Sequence, residues 1–200
     1  VLALQDGSVF YGYSIGHFST SFGEVVFNTS MTGYQEIISD PSYAGQIITL
    51  TYPHVGNVGC NQEDLEAKKI FSKGLIIRDI PSKYSNYRAH ESLTNFLKKN
   101  RIVAIAGIDT RKLTRHLRIN GAINGAIVTF KDRPEFSFDD AVKKALASAK
   151  SCESLSGKNL AREVSTEKTY DWKDGLWRVE PKILNHKTLV VVFDLGVKAN

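Results

Sequence analysis

Gly23-Glu24-Val25-Val26-Phe27-Asn28-Thr29-Ser30-Met31-Thr32-Gly33-Tyr34-Gln35-Glu36 changes character twice within one short stretch. Residues 24–28 form a buried-strand pattern between Gly23 and a polar run. Residues 34–38 predict one helical turn. It ends at Asp40-Pro41, because the residue before a proline avoids the helical region. Residues 46–51 predict the next strand. Strand, helical turn and strand in succession make this a mixed α/β chain.

Working outward toward the N-terminus, the first third is β-rich. Residues 1–5 are a short apolar run, Asp6-Gly7 signals a hairpin turn, and residues 9–15 alternate apolar and polar. Toward the C-terminus, Tyr52-Pro53-His54-Val55-Gly56-Asn57-Val58-Gly59 reads as a loop. Residues 61–69 then predict an acidic helix, and residues 74–80 a strand stopped by Pro81. Ser92 is placed as the N-cap of a helix carrying Leu93, Phe96 and Leu97 at helical spacing. A strand follows at 102–105. Asp109 caps a helix that ends at Asn120-Gly121, the next strand is 126–130, and residues 139–150 form an amphipathic helix with Val142, Leu146 and Ala149 on one face.

From Ser151 the pattern weakens, and Tyr170, Trp172 and Trp177 are expected to fold back onto a surface. Residues 188–193 are a β-branched apolar run leading into Asp194-Leu195-Gly196. Such a run fits the first strand of a second, parallel α/β unit, in which case the chain breaks off as that unit begins. It fits equally a last strand pairing with the first sheet. The division expected is a domain over 1–150, a linker over 151–187 and the start of a second domain over 188–200.

Composition narrows the function less than the fold. The 200 residues carry a formal charge of +5, which suits an acidic partner and is too diffuse to argue nucleic acid. The two cysteines, Cys60 and Cys152, form no staple framework, so a reducing compartment is the default. The longest apolar run is strand length, and the opening residues lack signal-peptide features. A soluble cytoplasmic protein away from the membrane is therefore expected.

Cys60, with His54 close in sequence, is the tempting nucleophile. A catalytic thiol needs a base or a helix N-terminus to lower its pKa. Cys60 sits in Val58-Gly59-Cys60-Asn61-Gln62 with no preceding strand, Cys152 in Ser151-Cys152-Glu153 fits no better, and both read as inert. The five histidines are scattered without i, i+3 or i+4 pairs, so no metal site is expected. On helix 110–119, Arg111, Arg115 and Arg118 share one face, with Leu113 and Leu117 on another. A solvated face is the first reading and docking on an acidic surface the second. Nucleic acid is a weaker third, for want of interleaved aromatics.

Beyond these patterns, four blocks are long and irregular. They are 23–36 as quoted above, Asp40-Pro41-Ser42-Tyr43, the stretch 46–57, and Asp109-Thr110-Arg111-Lys112-Leu113-Thr114-Arg115. In order and spacing they resemble the small subunit of glutamine-dependent carbamoyl-phosphate synthase. The terminal Val191-Val192-Phe193-Asp194-Leu195-Gly196-Val197-Lys198-Ala199-Asn200 resembles the first strand and turn of that family's glutaminase domain. The resemblance implies a β-rich swivelling β/β/α domain followed by a class I glutamine amidotransferase domain. There a Cys-His-Glu triad hydrolyses glutamine and sends ammonia to a large subunit that binds ATP and Mg. Carbamoyl phosphate for arginine and pyrimidine synthesis is the product.

On this resemblance the present chain carries no triad, no cofactor and no glutaminase activity of its own. Its partners are the large subunit and L-glutamine. Ser42 is the implied glutamine contact, since a hydroxyl both donates and accepts; taken alone, Ser42 reads as a turn cap. Tyr52 and His54, on a rigid Pro- and Gly-containing loop, are expected at an interface together with Arg111, Arg115 and Arg118. A non-catalytic docking module that binds a synthetase is the alternative.

Overall fold

The computed structural model describes residues 1–131, 137–172 and 188–199. Its elements in chain order are β1 (Leu2–Leu4), β2 (Val9–Phe10), β3 (Tyr13–Ser14), β4 (Thr20–Asn28), α1 (Tyr34–Ser39), a 3-10 turn (Pro41–Tyr43), β5 (Gln46–Leu50), β6 (Gly74–Ile76), α2 (Leu93–Lys99), β7 (Val103–Ala106), α3 (Thr110–Asn120), β8 (Ile123–Val128), α4 (Phe138–Ser151) and α5 (Leu160–Val164). The strands form one sheet in the order β2-β1-β8-β4-β5-β6-β7-β3. β4 to β7 run parallel, and the remaining pairs are antiparallel.

The two edge strands, β2 and β3, are separated by Tyr11 and Gly12 alone. So short a connection spans on the order of 10 Å. The sheet must therefore curl until its edges nearly meet. Gly12 is needed at this closure, because a Cβ there would lie 2.1 Å from the carbonyl oxygen of Ala106. The alternating run at 9–15 accordingly breaks into two short strands on opposite edges, where its pattern predicts one.

Strand period sorts the core into layers. Leu2, Leu4, Val25, Ile47, Ile76, Val103 and Ile105 face one way and pack with Leu113 and Leu117 of α3. Ile48, Leu50, Leu75, Ile77 and Ala104 face the other way, under Tyr34 and Ile38 of α1 and Leu93, Phe96 and Leu97 of α2. Val1, Ala3 and Val128 lie beneath Ala141 and Ala145 of α4. The predicted caps are present: Ser92 accepts from the Asn95 N–H at 3.2 Å and Asp109 from the Lys112 N–H at 2.9 Å.

The expected helix at 61–69 does not form. Asn61 Oδ1 accepts from the N–H groups of Glu63 and Asp64, and the N–H of Asn61 donates to Gln35 Oε1 at 2.9 Å. The Glu66 N–H donates to Ser39 Oγ at 2.9 Å. An Asx turn and tertiary partners have taken the donors a helix would use internally. The strand expected at 74–80 stops at Ile76, the one expected at 126–130 is shifted to 123–128, and α5 had no clear signal. Residues 188–193 pair with no strand among the described residues, so the reading as a last strand of the first sheet is not met. Tyr170 does fold back, donating its hydroxyl to Asp194 Oδ2, with Trp172 against it; Trp177 lies outside the described residues.

Candidate functional site

The Asp40-Pro41-Ser42-Tyr43 block leaves α1 and turns directly into β5. Asp40 adopts an extended backbone, ending the helix ahead of Pro41. Its Oδ1 then accepts the N–H of Ser42 at 2.8 Å, while its carbonyl accepts the N–H of Tyr43 at 3.1 Å. The Asn28 side-chain amide donates to the Tyr43 hydroxyl at 2.8 Å, tying the turn to β4. Asp40 is buried and Ser42 is exposed on this braced turn.

The second side of the site comes from the end of the described chain. Asp194 Oδ1 accepts the N–H groups of Gly196 at 2.9 Å and Val197 at 2.8 Å, fixing a turn. That turn lies on the segments around α1: the Ala199 N–H donates to the carbonyl of Glu66 at 2.9 Å, and Lys198 Nζ sits 2.7 Å from Asp40 Oδ2. Burial works against the Asp40 carboxylate. The Lys198 ammonium and the Ser42 contacts outweigh it and hold its pKa below the usual value. Ser42 and Lys198 thus share one carboxylate, which brings a hydroxyl and an ammonium into one neighbourhood. That pairing suits the polar end of a small anionic or zwitterionic ligand. Lys198 lies in a motif quoted from the sequence, but its partner is 158 positions away in sequence terms (Lys198 minus Asp40), and no local pattern reports such a pair.

Tyr52 and His54 lie on the loop that follows β5. The Thr51 N–H donates to the Asn28 carbonyl at 3.1 Å, so this loop runs beside the one after β4, where Met31 is 72 % exposed. Tyr52 is half-buried and His54 exposed, with their rings edge to face at 6.0 Å. Val55 anchors the loop in the core under α1 and α2. Arg111, Arg115 and Arg118 are exposed along α3, as the helical spacing predicts, and Leu113 and Leu117 are buried. The structure does not bring this face to Ser42. α3 packs with the opposite face of the sheet from α1.

Cys60 is fully buried, and burial, followed by the nearby Glu91, Glu36 and Asp64 charges, pushes its thiol up to about 12. A thiol so held stays protonated and is a poor nucleophile. Burial also raises the pKa of Cys152. Among the described residues no group of three His, Cys, Asp or Glu side chains is placed to hold a metal ion. No helix among them is long and apolar enough to cross a membrane.

Comparison with known proteins gives the family of the chain. A family model described as the carbamoyl-phosphate synthase small chain, CPSase domain, matches residues 2–127. Those residues hold the strands of the curled sheet, short of the last residue of β8, together with α1, α2 and α3. Curated carbamoyl phosphate synthase small chains from Pectobacterium atrosepticum, Vibrio parahaemolyticus and Ralstonia nicotianae are 53%, 52% and 51% identical to it. Each match covers 100% of this chain and 52% of the relative, so the chain spans about half the length of these relatives. By a family match over more than half of its length and by these identities, the chain belongs to the carbamoyl-phosphate synthase small-chain family.

Proposed function

We propose that this chain is the N-terminal part of a glutaminase subunit, and that its Ser42 turn helps hold glutamine for a second domain. The observation that carries this is the Lys198–Asp40 ion pair at 2.7 Å. Lys198 lies in the turn that resembles the opening of a class I glutamine amidotransferase domain, and Asp40 is the residue that braces Ser42. A hydroxyl presented on that turn meets the polar end of the amino acid at the boundary between two domains.

In this reading the first domain is of the swivelling β/β/α type and carries no triad. The rest of the protein supplies the Cys-His-Glu triad. Glutamine is hydrolysed there, and ammonia passes to a large subunit that binds ATP and Mg and makes carbamoyl phosphate for arginine and pyrimidine synthesis. The complex works in the cytoplasm. Tyr52, His54, Arg111, Arg115 and Arg118 are its interface residues, offered from two faces of the small chain.

The test is Ser42→Ala in the full-length protein assembled with its large subunit. The loss of one hydrogen bond, about 1 kcal/mol, raises the apparent KM for glutamine roughly 5-fold. Ammonia-dependent synthesis stays unchanged. An unaltered KM removes Ser42 from the glutamine site.

A further inference from the structure

The residues at and just ahead of the starts of β4, β6 and β7 enclose one polar cleft of about 260 Å³. His17, Ser19, Thr20, Lys73 and Arg101 line it, and no Asp, Glu, Phe, Tyr or Trp does. None of His17, Lys73 and Arg101 has an ion-pair partner among the described residues. Two cations and an imidazole therefore share one concavity without an anion beside them.

The backbone under these groups is fixed. The His17 N–H donates to the Ile102 carbonyl at 2.8 Å, and Thr129 Oγ1 donates to the His17 carbonyl at 3.1 Å. The Lys73 N–H donates to the Gln46 carbonyl at 2.7 Å, and the Lys73 carbonyl accepts the Ser21 hydroxyl. Strand starts far apart in sequence thus hold the cleft's cations together in advance of any ligand.

Arg101 is held there against local preference. The Arg101 N–H donates to the Lys98 carbonyl at 3.1 Å and the Ile102 N–H to the Leu97 carbonyl at 2.8 Å, closing α2 with a Schellman motif. The left-handed position of that motif is normally glycine. Arg101 fills it with φ at 55°, the one positive φ of a non-glycine residue among those described. A cation does suit the C-terminal end of a helix, but Lys98 and Lys99 already stand in the last turn. The end of α2 therefore does not account for a guanidinium at position 101; the cleft it lines does.

The chemistry of the lining selects the ligand. An arginine fork and a lysine point charge both suit phosphate oxygens, and the hydroxyls of Ser19 and Thr20 can donate to further ones. Two cations match a dianion better than the single charge of a carboxylate. With no aromatic ring for a base to stack on, the lining does not suit a nucleic-acid strand. We infer that this cleft binds a phosphoryl dianion, carried as inorganic phosphate or on a small phosphate monoester. The site is separate from the Ser42 reading and does not depend on it.

Calorimetric titration of inorganic phosphate into the full-length small chain, at fixed ionic strength, tests it. Wild type is expected to bind. Arg101→Gly and Lys73→Gln are each expected to weaken binding about 10-fold, the loss of one charge-assisted hydrogen bond. Arg101→Gly should melt no lower than wild type, since glycine takes the left-handed backbone freely. Should it melt lower, Lys73→Gln alone decides the matter. Lys144→Ala, which removes an exposed cation of α4, leaves binding unchanged. Methyl phosphate separates the two sources: binding as tight as that of inorganic phosphate assigns the cleft to phosphate esters, and weaker binding assigns it to the free anion. Wild type that binds no phosphate overturns the site, and so does binding that neither variant weakens; both leave the family and the Ser42 reading intact. Acetate that competes as well as phosphate overturns the phosphoryl assignment. So does single-stranded RNA that binds wild type more tightly than methyl phosphate does and loses binding in both variants.

Discussion

Two stretches of this chain read alike and end differently. Gln46-Ile47-Ile48-Thr49-Leu50 and Thr188-Leu189-Val190-Val191-Val192-Phe193 are both short, apolar and rich in β-branched residues. The first is β5, with Ile47 and Ile48 fully buried between β4 and β6. The second pairs with nothing among the described residues, and Leu189 and Phe193 are 88 % and 92 % exposed. β-propensity is a preference for a pleated, half-buried surface rather than a property of the backbone alone. β5 has a strand on each side and a helix layer over its Ile48 face, so its side chains find a surface. Residues 188–193 carry the same preference with no surface supplied.

The contrast can be broken at its buried end first. Ile47→Ala deletes methyl groups packed among Leu4, Val25 and Ile76, and is expected to cost about 2–5 kcal/mol in a urea unfolding titration. A loss under about 1 kcal/mol would mean that the curled sheet is looser than its packing indicates.

Between the two extremes lies the turn that follows residues 188–193, which is docked although they are not. Lys198→Met removes the ammonium from Asp40 and is expected to cost about 0.5–1 kcal/mol near neutral pH, the range of a partly exposed pair. The sign with pH follows from Asp40. Its folded pKa lies below the ordinary value, so its contribution is present above the unfolded carboxylate pKa and fades as pH falls through the folded one. The variant should therefore lose less stability than wild type between neutral pH and acid. Parallel acid limbs in the two melting profiles would show that Lys198 does not set the Asp40 ionisation.

The smallest effect belongs to the exposed stretch. Val191→Ala in this 200-residue chain should change stability by no more than about 0.5 kcal/mol, since the side chain is 81 % exposed. The same substitution in the full-length protein sharpens the comparison. A cost approaching that of Ile47→Ala there would show that the remaining half supplies the missing strand neighbours.

How much of this was legible beforehand depended on whether the deciding interaction was local. Asp109, Ser92 and the Leu113/Leu117 spacing announced α3 and α2, because a cap and a helical stripe act within a few residues. The acidic run at 61–69 looked helical by the same local criteria, and failed because Gln35 and Ser39 compete for its backbone. The Ser42 turn was legible as a turn, and its likeness to a family motif drew attention to it. The ion pair that braces it from Lys198 was not legible, since charge partners distant in sequence leave no periodic trace.

By itself, then, the sequence determined the mixed α/β class, the order of most elements and the family blocks around residues 23–57 and 109–115. Composition, caps and periodicity are short-range, and a reader needs only neighbouring residues to apply them. Tertiary structure alone decided that the sheet curls until β2 and β3 close on Gly12, that Lys198 reaches Asp40 beside Ser42, and that Arg111, Arg115 and Arg118 have no ion-pair partner among the described residues. Each of these is a contact, or a missing contact, between segments far apart along the chain, and only the folded backbone sets such distances.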